Sequence, residues 1–408
     1  MVLGVGGSTF AAELERMTPM TGAVVPITAG ELAQRVDKAQ RLLRAQGIDA
    51  LYLDTSTNLR YFTGIPLTLT ERLHGALIPA VGDIVYLSPA FEAPKTRTLL
   101  RLGDDIRVWE EHDDPTALVI DTVRSLGHAS GTIAIDPATP FYTVDGLRRA
   151  GNSFGFVNAA AITAACRQVK SVAEIALMQV AMDITMTVHK AAARCLAPGM
   201  TTTEVQGFLD AAHRRLGGLP ASRAVQFGEA TAYPHGVPYP QTLAEGDMVL
   251  IDTGCFVEGY RSDITRSYVF GTPTPRQRDI WELEQRAQLA GFAAAVAGAP
   301  CEAVDAAARG VIAAAGFGPD YATPGLPHRT GHGIGLDVHE EAFMVRGNRT
   351  PIMPGMCFSI EPTICLYGEF GVRLEDIVCM TEQGARWFTR PSRSVDDPFG
   401  ATAEDATP

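Results

Sequence analysis

The chain has 408 residues, of which 46% are apolar and 20% charged, with a net charge of -12 at pH 7 and a pI near 5.3. That length exceeds what one hydrophobic core fills, so two domains are expected. The composition is that of a soluble globular protein, and the acidic balance argues against a nucleic-acid footprint.

Seven cysteines (Cys166, Cys195, Cys255, Cys301, Cys357, Cys365 and Cys379) are odd in number, scattered, and contain no Cys-x-x-Cys. This argues against a disulfide framework or a thiolate zinc site and for a reducing compartment, the cytoplasm. The N-terminus lacks a basic n-region and a full apolar h-region, so no signal peptide is expected. No apolar run reaches the ~18 residues of a membrane span.

Residues 1–27 hold Gly, Pro, Thr and Met without period and read as an arm, suited to packing on a partner subunit. Thr28-Ala-Gly-Glu31 is a capping box, followed by Leu32, Val36, Ala39 and Leu43 at helical spacing until Gly47. Ala50–Leu53 reads as a short buried strand, Asn58–Gly64 as loop and strand, and Ala76–Ile78 with Ile84–Leu87 as a hairpin across Gly82-Asp83. A strand at Thr132–Ile135 and a helix over Val144–Ala150 complete an α/β domain, 28–167. It carries no phosphate loop and no paired carboxylates, so its expected role is covering an active site and making oligomer contacts.

A second domain is expected over 170–392. Ser171-x-x-Glu174 and Thr201-x-x-Glu204 are capping boxes opening helices to about Leu196 and Leu216. Strands follow near Ala224–Phe227, Val249–Thr253 and Ser267–Phe270, then helices over Arg278–Ala297 and Glu302–Ala315. Residues 393–408 read as a polar tail. Two helices before a β segment with two acids, twice over, suggest a duplicated unit with its carboxylates facing each other across a pseudo-twofold axis, the geometry of a two-metal site.

The chemistry concentrates between Leu250 and Asp376. Asp252 ends the apolar run Val-Leu-Ile, Asp263 follows beyond a Gly259-Tyr260 turn, Glu361 ends Cys357-Phe-Ser-Ile, and Glu375 lies beyond Gly368 and Gly371. Any one carboxylate taken alone reads as a surface group or ion-pair partner. Four flanked by buried-strand sequence, with Gly-His332-Gly, read as ligands, because an acid in an apolar strand is costly to bury unless paired or metal-bound. Two Asp, one His and two Glu suit hard or borderline divalent cations. The glycines flanking His332 are expected to free its ring to approach a metal.

Of the remaining histidines, His74, His112, His128, His189 and His213 read as packing or surface groups. His328, His339 and His235 fit just outside the ligands, where they could orient substrate or stabilise an oxyanion. Glu361 is placed to act as general base. Arg373 is expected either to hold the carboxylates or to grip a substrate carboxylate, and Arg346 and Arg349 are further clamp candidates or solvated loop residues.

The motifs Asp252-Thr-Gly, Gly-Tyr-x-Ser-Asp263-Ile-Thr-Arg, His332-Gly-Ile-Gly-Leu-x-Val-His339-Glu, Ile-Glu361-Pro and Gly-Val-Arg373-Leu-Glu375-Asp resemble the pita-bread-fold metallopeptidases of methionine aminopeptidase and Xaa-Pro peptidase type. The chain is similar over nearly its whole length to Xaa-Pro dipeptidases, with Asn58–Gly64 matching a creatinase-type N-terminal domain. The resemblance implies an α/β (α+β) architecture, in which a creatinase-type α/β domain precedes a pita-bread domain with pseudo-twofold symmetry. It implies two divalent metal ions, manganese first, with cobalt or zinc as alternatives. Asp252 would bind one ion, Asp263 and Glu375 would bridge, and His332 with Glu361 would bind the second. His235, His328 and His339 match the substrate- and proton-handling histidines.

The implied reaction is hydrolysis of the Xaa-Pro bond in a dipeptide or short peptide, by a homodimer or larger homo-oligomer. Many relatives carry a tyrosine three residues after the Ile-Glu-Pro glutamate, where this chain has Ile364, with Tyr367 out of register. Open alternatives are an aminopeptidase for longer Xaa-Pro peptides, a same-fold ectoine-derivative hydrolase or dimethylsulfoniopropionate lyase, and a non-catalytic binding module.

Overall fold

The computed structural model describes residues 2–400. They form two compact units, one of Ile27–Arg167 and one joining the leading segment to residues from Gln168 onward. The first helix, α1 (Phe10–Arg16), belongs to the latter. Among the described residues no helix is long and apolar enough to cross a membrane.

The Ile27–Arg167 unit contains, in chain order, α2 (Ala29–Ala45), β1 (Ala50–Asp54), α3 (Thr57–Thr63), β2 (Gly75–Pro79), β3 (Val85–Pro89), α4 (Ala93–Leu99), β4 (Ile106–Trp109), α5 (Pro115–Ser125), β5 (Gly131–Ile135), α6 (Phe141–Ala150), β6 (Phe154–Asn158) and α7 (Ala160–Arg167). Its sheet runs β4-β3-β2-β1-β5-β6. The expected hairpin is the antiparallel β2–β3 pair, Ala76 opposite Tyr86. Ala50, Tyr52, Leu77, Val85 and Leu87 share a core with Val119, Ile120 and Val123 of α5 and Leu147 of α6. The intervening Leu51, Leu53, Ile78 and Tyr86 are buried as well, so both faces of the sheet are covered.

One expectation fails here. Residues 58–63, read as loop and strand, are helical. Ser56 Oγ accepts the Leu59 N–H at the N-cap and Gly64 closes the turn at φ 77°. These local caps outweigh the β-like Tyr-Phe-Thr composition.

The second unit adds α8 (Val172–Cys195), α9 (Thr202–Leu216), β7 (Leu219–Phe227), β8 (Met248–Val257), β9 (Tyr260–Arg261), β10 (Ile264–Val269), α10 (Pro275–Ala294), α11 (Glu302–Ala314), β11 (Gly331–Gly333), β12 (Glu340–Met344), β13 (Cys357–Ile360), β14 (Thr363–Leu366), β15 (Phe370–Arg373), β16 (Asp376–Thr381) and β17 (Gly384–Trp387). The Ser171/Glu174 and Thr201/Glu204 boxes form with both reciprocal bonds. A further box, Thr274/Gln277 with Pro275 at the first helical position, starts α10 ahead of Arg278, where periodicity placed it.

The order helix, helix, sheet occurs twice: α8 and α9 before β10-β8-β7, and α10 and α11 before β12-β11-β13-β16-β17 with the β14–β15 hairpin. The two halves meet at an antiparallel bridge between Thr265 and Glu375. Beside it Arg266, fully buried, bonds Asp376 at 2.7 Å and the carbonyls of Thr265, Glu375 and Arg390.

Both chain ends make contacts within the chain. The leading segment packs on its own chain: Phe10 stacks on Phe208 at 4.7 Å and Glu13 bonds Arg194 at 2.6 Å. The polar tail begins later than residue 393, because Val395 and Phe399 are buried and Asp396 pairs with Arg278. Residues 401–408 lie outside the described range.

Asp376→Ala would leave Arg266 charged and buried, at a cost of roughly 3–5 kcal/mol. Ser171→Ala would lose only a cap, about 1 kcal/mol. Urea denaturation of the two variants should therefore show a far larger drop in midpoint for the first, and equal midpoints would contradict this ranking.

Candidate metal centre

β8 does not end at Asp252 but runs on to Val257, so Asp252 lies mid-strand opposite Thr265 of β10. The β8–β9 turn brings Asp263 back just before β10. Glu361 directly follows β13, its N–H donating to Thr330 O at 2.8 Å. Glu375 lies between β15 and β16, and its N–H donates to Thr265 O. His332 is the middle residue of β11. All five side chains, with His235, His328, His339 and Arg373, line one cavity of about 800 Å³.

Asp263, His332 and Glu375 present ligand atoms within 4.8 Å of one another. His332 Nε2 lies 3.8 Å from Asp263, 3.9 Å from Glu375 and 3.1 Å from Glu361. Its Nδ1 bonds Gly333 O at 3.0 Å, which fixes the tautomer and leaves Nε2 directed at the carboxylates. The flanking glycines have a different reason from the expected one. A Cβ at Gly331 would meet Ser359 O at 2.0 Å and one at Gly333 would meet Glu341 O at 2.6 Å, so glycine here permits close strand approach.

Asp252 and Glu361 stand at the margins of this cluster. Arg373 Nη2 donates to Asp252 at 2.7 Å, while Nη1 donates to Pro234 O and Nε to Thr265 Oγ1. Of the two roles foreseen for Arg373, the contacts support holding the carboxylates. Ser359 Oγ donates to Glu361 at 3.2 Å and accepts the His332 N–H. Thr265 Oγ1 donates to Glu375 Oε2 at 2.7 Å, and Glu375 Oε1 is buried without a hydrogen-bond partner.

The electrostatics point to missing positive charge. Burial, then Asp252, pushes the Asp263 pKa well above the usual carboxylate range. Burial, then Asp263 and Glu361, does the same to Glu375. Burial also pushes Glu361 up, but His332, His328 and Arg373 outweigh it and hold it down at about 2. Burial alone would lower His332, yet Glu361 and Asp263 raise it. Divalent cations in this O-rich, single-His set would answer the crowding and engage the orphaned Oε1, so the residues present fit a metal centre.

The outer histidines differ from one another. His328 bonds Arg329 O and Thr363 Oγ1, and burial lowers its pKa. His339 packs edge-on against His332, ring centroids 4.3 Å apart, and desolvation followed by His332 and Arg329 brings it down to about 4. His235 is exposed at the cavity wall.

Arg346 is not in the lining. It pairs with Asp320 on the surface, so it is not brought to the cavity as expected. Arg349 is likewise exposed, beside Glu302. Ile364 is fully buried with Met248 and Trp281, and Tyr367 instead leans on Tyr233, a cavity residue, at 5.1 Å. Thr265, Ser359, Thr363, Arg261 and Arg329 were not foreseen. A hydroxyl two residues from Asp263 or Glu361 is too common a pattern to single out without the fold.

A sequence model described as metallopeptidase family M24 matches residues 176–382, and one described as the creatinase/prolidase N-terminal domain matches 35–169. The chain belongs to metallopeptidase family M24. The peptidase is 35% identical over 357 residues to a probable dipeptidase PepE of Mycobacterium tuberculosis, covering 86% of this chain and 93% of that one. It is 31% identical over 367 residues to an Xaa-Pro dipeptidase of Lactobacillus helveticus, covering 88% and 98%. The solved structure of dipeptidase PepE from Mycobacterium ulcerans superposes with a TM-score of 0.83 at 34% identity, covering 90% of this chain and 98% of that one. The peptidase is thus a metal-dependent enzyme of the pita-bread fold with a creatinase-like N-terminal domain, and its family takes divalent metal ions.

Thr265→Val in the peptidase keeps the side-chain shape but removes the hydroxyl between Glu375 and Arg373. Metal affinity by titration calorimetry should fall about 10- to 100-fold, and an unchanged affinity would rule out this hydroxyl as a ligand-orienting group.

Proposed function

We propose that this peptidase hydrolyses the Xaa-Pro bond of dipeptides using a pair of divalent ions, manganese first, with cobalt or zinc as alternatives. The observation that carries the reading is the Asp263–His332–Glu375 cluster, with one buried Glu375 oxygen lacking a partner, in a cavity lined by three further histidines. The name of the Lactobacillus helveticus relative supports the Xaa-Pro preference. Asp252, Asp263, His332, Glu361 and Glu375 would hold the ions, with Asp263 and Glu375 shared between them. When bound, such ions supply Lewis acidity that polarises a carbonyl and lowers the pKa of water toward neutrality.

The chain's own groups do the rest. Glu361 accepts the proton of the attacking water and passes it to the leaving nitrogen of proline. His339, brought down to about 4, is neutral at pH 7 and donates an N–H to the developing oxyanion, with His235 across the cavity as a second donor. His328, fixed by Thr363, positions the substrate. Arg373 keeps Asp252 in place, while Arg261 and Arg329 in the lining suit the dipeptide's free carboxylate. The reading includes a homodimer or larger homo-oligomer in a reducing cytoplasm, in keeping with seven cysteines that are all free thiols.

The test is a panel of Xaa-Pro dipeptides, tripeptides and non-peptide amides with purified protein and added manganese, cobalt or zinc. Turnover of several Xaa-Pro dipeptides is expected. Their resistance while longer peptides or other amides are cleaved would replace the reading with one of those activities. Asp263→Ala and Glu375→Ala should abolish both activity and metal content, and normal metal content in either would contradict the shared-ligand roles. His339→Ala should retain metal while turnover falls by roughly 10²–10⁴.

A further inference from the structure

Away from the metal centre, Cys357 of β13 and Cys379 of β16 stand directly opposite one another on antiparallel strands, and Arg386 of β17 lies opposite Cys379. The three side chains form one cross-strand row. The ladder fixes the kind of position. Met380 N donates to Met356 O at 2.9 Å, while Ile334 N donates to Cys357 O at 3.2 Å, so Met356 turns its carbonyl to β16 and Cys357 turns its own to β11. The next pair along, Cys357 and Cys379, then occupies a non-hydrogen-bonded site, where Cα atoms approach to about 4.5 Å and side chains are closest. A disulfide accepts Cα separations of about 4.4–6.8 Å, so the strand register places this pair at a spacing a disulfide can span.

The pair differs from the other thiols. Burial pushes Cys166 and Cys301 up to about 11 and Cys195 and Cys365 up to about 12. At Cys379 the neighbouring Cys357 side chain outweighs burial and, with Arg386 and Lys170 nearby, draws the thiol down to about 7. Cys357, whose S–H donates to Gly355 O at 3.8 Å, is pushed up by burial and by its neighbour. A lowered thiol beside a raised one is the arrangement of an attacking and a resolving cysteine.

We propose that Cys357 and Cys379 form a redox-active dithiol site that hydrogen peroxide oxidises to a cross-strand disulfide. The Cys379 thiolate attacks one peroxide oxygen. An S–O bond forms, the O–O bond breaks, and the departing hydroxide takes a proton to leave as water. The Cys357 thiol, losing its proton, then attacks the sulfenic sulfur. The S–S bond forms, the S–O bond breaks, and a second water leaves. Two thiols have surrendered two electrons, and one peroxide has been reduced to two waters. The link would tie together β13, which leads to Glu361, and β16, which begins beside Glu375.

The test does not depend on peptidase activity. The native full-length protein is treated with hydrogen peroxide, alkylated with N-ethylmaleimide after unfolding, and mapped by peptide mass spectrometry. A peptide pair joined through Cys357 and Cys379, lighter by two hydrogens and restored by a dithiol reductant, is expected. C357S should lose the link and leave a sulfenic acid on Cys379 that a cyclic diketone traps, and C379S should lose the link as well. Full alkylation of both residues in peroxide-treated wild-type protein, under conditions that oxidise exposed methionines, would overturn the proposal, as would a disulfide joining either residue to a different cysteine.

Discussion

Asp263 and Glu375 are nearly out of contact with water and within reach of each other, with Asp252 and Glu361 close by. Among the side chains around them, His332 and Arg373 answer that charge, and Arg373 is committed to Asp252, Thr265 and Pro234. Such a group stays ionised only if cations join it. Much of the second unit can be understood as the scaffold that holds these acids together against their repulsion.

That scaffold is a seam between two similar halves. β8 and β10 carry Asp252 and deliver Asp263, while β13 and the β15–β16 connection deliver Glu361 and Glu375. Thr265 and Glu375 bridge the halves through their backbones, and the Thr265 hydroxyl reaches the Glu375 carboxylate. Behind the bridge, Arg266 and Asp376 tie the same strands with a fully buried ion pair and three carbonyl bonds. The adjacent positions therefore divide their labour. Asp263, Glu375 and Arg373 face the cavity, and Arg266 and Asp376 keep the strands that carry them from parting.

The histidines show how one residue type takes different tasks by environment. His332 is pinned through Nδ1 and surrounded by acids, which leaves Nε2 directed at the carboxylates. His339 has its charge disfavoured by desolvation first, then by the neighbouring ring and Arg329. His328 is anchored by Thr363. His189 and His213, buried elsewhere and lowered to about 3 and about 4, bond a backbone carbonyl each and belong to packing, as their sequence context suggested.

The sequence by itself determined which residue types carry the chemistry and much of the local structure. Capping boxes at Ser171 and Thr201 act within a few residues, so their helices were readable from neighbours alone, whereas the Ser56 and Gly64 caps around Asn58–Thr63 were masked by β-like composition. The acid and histidine motifs stood out because buried-strand sequence rarely tolerates such groups without a partner. What only the tertiary structure decided was which groups meet. Arg373 holding Asp252, the hydroxyls of Thr265 and Ser359 on their carboxylates, Arg346 lying away from the cavity and Ile364 turned into the core all depend on how the strands and loops pack, and the Arg373–Asp252 and Thr265–Glu375 contacts join residues more than a hundred apart. The same is true of Cys357 facing Cys379, a pairing that no spacing in the chain announces. Register is set by how two faces pack, and that information resides in the folded sheet as a whole.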